Sequence, residues 1–154
     1  MLLMVISDAT TLIILFDLKR IDLLSNLFEK ILIPQTVYSE LNAEKEILLP
    51  DFIEVVTVNK SDTLKLLKNL LDDGESEAIA LALEKKSRLI IDEKKGRKIA
   101  MRQGLEIIGL LGIVYLNIKN KHISQENAKR FLDDVLAHGY RINVKLIELM
   151  FSKL

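Results

Sequence analysis

Asp8, Glu40, Glu77 and Asp92 are the residues of this chain best suited to chemistry. Each stands at the end of an apolar strand-like run or within an apolar helix-like one. Carboxylates in such places lose hydration and repel one another unless a cation sits among them, and a divalent metal is the simplest cation to supply. An aspartate after a strand is also an ordinary turn former or helix N-cap, so one instance carries little. Two strand-end aspartates with two glutamates on apolar helix faces point to a shared site. Asp8 closes the run Leu2 to Ser7, and Asp92 closes Leu89 to Ile91. In a parallel sheet both lie at the carboxyl edge, where open α/β sheets bind ligands.

The charge around these positions is uneven. Acidic residues gather in Asp72-Asp73-Gly74-Glu75-Ser76-Glu77, whereas Lys94, Lys95, Arg97, Lys98 and Arg102 follow Asp92 directly. A carboxylate site beside a basic rim suits a metal that must meet a phosphate backbone, although the same basic residues would also serve as a solvated helix face. Over the whole chain 22 basic and 22 acidic residues balance, so no global attraction to nucleic acid is expected.

The elements that must hold these side chains alternate between strand and helix. Leu2 to Ser7 is continuously apolar, the pattern of a buried parallel strand. A helix from Thr10 or Thr11 through Phe16 follows, then a short one capped by Asp22 that carries Leu23, Leu24, Leu27 and Phe28. Ile31 to Ile33 is the next strand, stopped by Pro34, and Thr36 begins a helix bearing Val37, Glu40 and Leu41. After the break at Pro50 come a strand over Ile53 to Val58 and a helix capped by Ser61 or Asp62. Gly74 separates that helix from an alanine-rich one over Glu77 to Lys86. Leu89 to Ile91 is a strand, Lys94 to Arg102 a helix stopped by Gly104, and Ile107-Ile108 a short strand. Ser124 precedes a helix to Ala137, Gly139 ends it, and Asn143 caps a last helix through Met150. Such alternation predicts crossover connections and a mostly parallel sheet, with the C-terminal helices packed on the sheet or on a partner subunit.

At 154 residues the chain reads as one domain, 1–154, without repeats or linker-like segments. The 49% hydrophobic and 29% charged content excludes disorder and leaves enough apolar helix surface for a homodimer interface. The absence of cysteine excludes disulfides, zinc-thiolate sites and thiol nucleophiles. The longest apolar stretch, Ala9 to Phe16, is too short to span a bilayer, and the first residues lack a basic signal-peptide start, so a cytoplasmic protein is expected. No glycine-rich phosphate cradle of the dinucleotide or P-loop type is present, and His122 and His138 lie in polar surroundings without a nucleophile pattern.

Four segments together resemble a known family. They are Ile6-Ser7-Asp8-Ala9-Thr10-Thr11-Leu12-Ile13, Ile33-Pro34-Gln35-Thr36-Val37-Tyr38-Ser39-Glu40-Leu41, Gly74-Glu75-Ser76-Glu77-Ala78-Ile79-Ala80-Leu81-Ala82 and Leu89-Ile90-Ile91-Asp92-Glu93-Lys94-Lys95-Gly96-Arg97. In order and spacing they are similar to the motifs of PIN-domain proteins, more narrowly of the DUF3368 branch, related to VapC-type toxins. Ala137 to Ile142 resembles that branch's C-terminal segment. The resemblance implies a three-layer α/β/α sandwich with a central, mostly parallel sheet. It also implies an acidic cluster binding Mg²⁺ or Mn²⁺ and cleavage of single-stranded RNA. By it, Asp8, Glu40, Glu77 and Asp92 are the catalytic and metal-holding residues, with Glu93 as the alternate fourth ligand. Thr10 would orient Asp8 or a water at the ion. Lys94, Lys95 and Arg97 would meet the RNA backbone. Two positions depart from the pattern: Leu110 stands where this branch has a threonine, and Glu93 where it has an aspartate.

Three functions follow as expectations. The first is an endoribonuclease, the toxin half of a toxin–antitoxin pair with a small antitoxin partner. The second is a catalytically weak RNA-binding module of the same fold, favoured by Leu110 and the neutral net charge. The third is a receiver-like phosphoacceptor on Asp8 or Asp92, which would want a second acidic residue on the first strand where only Asp8 stands.

Overall fold

The computed structural model describes residues 2–154, and side chains from residue 4 onward; Met1 and the first two leucine side chains of the expected strand lie outside it. The chain runs β1 (Leu2–Ser7), α1 (Ala9–Asp17), α2 (Asp22–Ser25), β2 (Phe28–Pro34), α3 (Gln35–Leu41), β3 (Ile53–Val56), α4 (Asp62–Lys68) and α5 (Asp73–Lys85). It continues through β4 (Leu89–Ile90), α6 (Lys94–Arg102), β5 (Ile107–Ile108), α7 (Leu110–Lys119), α8 (Gln125–Ala137) and α9 (Val144–Ser152). The five strands are all parallel, in the order β3-β2-β1-β4-β5.

The strands are apolar without alternation because helices cover both faces. Val5, Ile31, Ile33 and Ile90 face a core completed by α1, α2, α3, α7, α8 and Met150 of α9. Their neighbours Ile6, Leu32, Leu89 and Ile91 face a second core built with α4, α5 and α6. Successive side chains of a strand point to opposite faces, so one run feeds two cores and the result is the expected α/β/α sandwich. Full burial of an aliphatic side chain contributes roughly 1.5–3 kcal/mol, which is how β4, two residues long, holds its place in the sheet. Leu89 and Ile90 are both wholly buried.

Strand order reverses between β1 and β4, which pair through Ile6 with Leu89 and Ser7 with Ile90. The pairing runs one residue past the strand, as the Asp8 N–H donates to the Ile90 carbonyl at 2.9 Å. That bond sets Asp8 beside the loop that carries Asp92, at the crevice where such sheets bind ligands.

The observed elements correct the expected ones in several places. α5 begins at Asp73 instead of Glu77, with Asp72 as N-cap accepting the Glu75 N–H at 2.8 Å, so Gly74 lies inside the first turn and is no break. Helix α7 has no counterpart among the expected elements. Leu27 and Phe28 leave α2 for the approach to β2, and Asp22 pairs with Arg20 at 3.0 Å without capping α2. β3 stops at Val56, two residues short of the expected end. Ser61, Ser124 and Asn143 do cap their helices, each accepting a first-turn N–H.

Candidate active site

Asp8 follows β1 and opens α1, yet its carboxylate makes no bond across the first turn. It is 4% exposed. Burial pushes its pKa up to about 6; the Ala9 N–H works against that shift, while the charges of Asp72, Asp92 and Glu93 add to it. A carboxylate held in this state wants either a proton or a cation.

Glu40 reaches the same region from α3, which packs against both α1 and α5. Its carboxylate lies directly over Gly74, where a Cβ would overlap Glu40 Oε1. Glycine in the first turn of α5 thus leaves room for the Glu40 carboxylate, which a side chain there would displace. Glu40 is open to solvent on one side. Its pKa is nonetheless raised to about 7, first by loss of hydration and then by Asp8, Asp72 and Asp73.

Two residues of this group are not among those singled out by sequence. Asp72 caps α5 and is one of the charges acting on Asp8, Glu40 and Glu75. Glu75, on the turn Asp72 caps, is 8% exposed, and its Oε2 has no hydrogen-bond partner. Burial and the neighbouring Asp72 and Glu93 carboxylates hold it well above the ordinary range. Its Oε2 lies 2.7 Å from where a Cβ on Gly96 would sit, so the glycine at the start of α6 is what admits it. The acidic run 72–77 is the signal that points to both residues; a helix start placed at Glu77 hides it.

Asp92 is the most tightly held of the set. Its Oδ2 accepts from the Thr11 hydroxyl, and the Leu110 N–H spans Oδ1 and Oδ2 at 3.1 and 3.2 Å. Arg97 Nη1 stands 4.0 Å from Oδ1 and donates to the Ile91 carbonyl at 3.4 Å. Gly109 lets these groups close, since a Cβ there would meet Arg97 Nη1 and lie 2.6 Å from Asp92 Oδ1. Glu93 caps α6, accepting the Gly96 N–H at 2.7 Å. That bond is the main reason its pKa is lowered, against a smaller opposing effect of burial.

Of the residues singled out in the sequence, Asp8, Glu40, Asp92 and Glu93 thus meet at one sheet edge. Glu77 is half-buried on α5, and its charge is not among those that raise Asp8, Glu40 or Glu75. Thr10 is exposed; the hydroxyl that reaches a site carboxylate belongs to Thr11, which is 2% exposed. Lys94 and Lys95 are exposed at the start of α6, with Arg97 half-buried behind them.

The donor set fits a hard divalent cation in kind: carboxylate oxygens, three of them in groups with raised proton affinity, and an orphaned buried oxygen on Glu75. Among the described residues no three Asp, Glu or His side chains converge into a ready ligand shell. Asp72, Asp92 and Glu93 are each turned toward a helix start instead. No helix among the described residues is long and apolar enough to cross a membrane.

A search of the curated proteins returned no match. A family model described as DUF3368: PIN domain matches residues 4–154, nearly the whole chain. PIN domains are a nuclease-type fold, and nucleases of this kind typically use divalent metals. With the all-parallel sheet and the acidic edge already in place, the match shows that the chain belongs to the PIN-domain family.

Proposed function

We propose that this protein is a metal-dependent endoribonuclease for single-stranded RNA, and the toxin of a toxin–antitoxin pair. The observation that carries the reading is the gathering of carboxylates at one crevice of the parallel sheet, Asp8 and Glu75 both buried and Glu75 Oε2 without a partner, a negative charge that a divalent ion offsets. Asp8, Glu40, Glu75 and Asp92 would hold Mg²⁺ or Mn²⁺, with Glu93 beside them and Glu77 on the flank. The ion, when bound, supplies Lewis acidity toward a phosphate and makes a water a better nucleophile.

The protein's own groups do the rest. Asp8 and Glu75, both buried, would carry charge where water does not screen it once an ion replaces their protons. Glu40, open to solvent and lying over the first turn of α5, would contribute its carboxylate from the α3 side. Lys94 and Lys95 present exposed cations to an RNA backbone, and Arg97 offers a planar fork beside Asp92. Cytoplasmic placement and a small antitoxin partner belong to the same reading. A homodimer accords with the exposed Val144, Leu146 and Leu149 of α9.

A second reading, a catalytically weak RNA-binding module, is favoured by the commitment of Asp72, Asp92 and Glu93 to helix starts and by the lack of a side-chain hydroxyl at Leu110. The deciding experiment supplies purified, antitoxin-free protein with Mn²⁺ or Mg²⁺ and a broad set of single-stranded RNAs. Metal-dependent cleavage by the wild type, lost in Asp8→Asn, supports the nuclease. Intact RNA that is nevertheless bound supports the module, and cleavage that persists in Asp8→Asn refutes the assignment of the site.

A further inference from the structure

We propose that Thr11 is a positioning residue for Asp92: its hydroxyl fixes the carboxylate facing the crevice and keeps it from closing on Arg97. The inference rests on the reading that Asp92 belongs to the ion-holding set.

Asp92 has two strong neighbours besides Thr11. The Leu110 N–H touches both oxygens without preferring either, at 3.1 and 3.2 Å. Arg97 Nη1 is 4.0 Å from Oδ1, beyond a direct hydrogen bond but within an ion pair's reach. A carboxylate held by a single shared N–H is free to turn about its Cβ–Cγ bond. A turn toward the guanidinium would draw Oδ1 into the ion pair with Arg97. The Thr11 hydroxyl donates to Oδ2 and holds the carboxylate against that rotation. Oδ1, with only a share of the Leu110 N–H and Arg97 beyond hydrogen-bond distance, then keeps a free lone pair.

Thr11 is suited to this by its place as well as its chemistry. It lies in the first turn of α1, three residues after Asp8, so one helical turn carries the first aspartate and the clamp on the second. Its branched side chain restricts rotation about Cα–Cβ, and at 2% exposure the hydroxyl has no water to turn to. Leu110 brings only its main-chain N–H, so the hydroxyl on Asp92 is Thr11's alone.

The test compares Thr11→Val, which keeps shape and removes the hydroxyl, with Thr11→Ser, which keeps the hydroxyl. Mn²⁺ affinity is read by calorimetry. Metal-free unfolding in EDTA is read in a double-mutant cycle with Asp92→Ala. A hydrogen bond to a charged group is worth about tenfold or more in an equilibrium, so Thr11→Val is expected to bind Mn²⁺ about tenfold more weakly and Thr11→Ser within about twofold of wild type. The cycle is expected to be non-additive. Equal Mn²⁺ affinity in Thr11→Val and wild type, or equal losses in both variants, would reduce Thr11 to a packing residue and overturn the proposal. An additive cycle would overturn it as well, by showing that the hydroxyl does not hold Asp92. A wild type that binds no Mn²⁺ would instead refute the metal reading on which the proposal stands, an outcome distinct from those three.

Discussion

Replacing Asp8 by asparagine should stabilise the metal-free protein at alkaline pH. Asp8 is 4% exposed, and its pKa rises from 3.8 to about 6 on folding. A raised carboxyl pKa means that the folded state binds more protons than the unfolded one, so stability is lost as pH climbs from the unfolded value through the folded value. Two units at about 1.36 kcal/mol each make roughly 3 kcal/mol lost by pH 8. Asparagine keeps the shape and can still accept the Ala9 N–H, but carries no charge. Urea unfolding of wild type and Asp8→Asn in EDTA, from pH 4 to pH 8, should show the variant's advantage growing by about 2–3 kcal/mol, most of it below pH 7. In a domain of this size that is on the order of 5–10 °C in Tm. Mn²⁺ should reverse the order, because the ion binds and stabilises the wild type more. A pH-independent offset, or a variant less stable than wild type in EDTA at pH 8, would refute the account of a buried, destabilising charge.

Other substitutions separate the roles of neighbouring residues. Gly74→Ala places a methyl against the Glu40 carboxylate, which can swing into solvent; helix propensity then leaves stability unchanged or improved by about 0.5–1 kcal/mol while RNA cleavage falls, checked by thermal unfolding beside a cleavage assay. A fall of several kcal/mol in stability would mean that Glu40 cannot move. Glu75→Gln mimics the protonated carboxyl that burial favours, so metal-free stability near neutral pH should change by less than about 1 kcal/mol while Mn²⁺ affinity drops, read by calorimetry. Arg97→Ala should weaken RNA binding and lower the slope of log affinity against log salt by about one, measured by filter binding across a salt series.

Hydrophobic pattern alone determines the outline of this fold. Runs such as Leu2 to Ser7 and Leu89 to Ile91, apolar at every position, announce strands covered on both faces, and the helices that cover them are legible through caps such as Ser61, Ser124 and Asn143. Strand-end placement likewise puts Asp8 and Asp92 at one edge, since a parallel sheet gathers the ends of its strands. Contacts made across the chain are a different matter, because no local pattern encodes them. Helix α7 has no local cap, because the carboxylate that meets its first N–H is Asp92, 18 residues away. Gly74 resembles a break only until Glu40 is seen lying over it. Glu75 enters the site through α5's true start, set by Asp72, and Thr11 surpasses Thr10 because the first turn of α1 aims it across the β1–β4 seam at a residue 81 positions on. Local rules decide which elements form; the close packing of those elements decides which carboxylate and which hydroxyl meet, because only there are backbone, charge and hydration settled together.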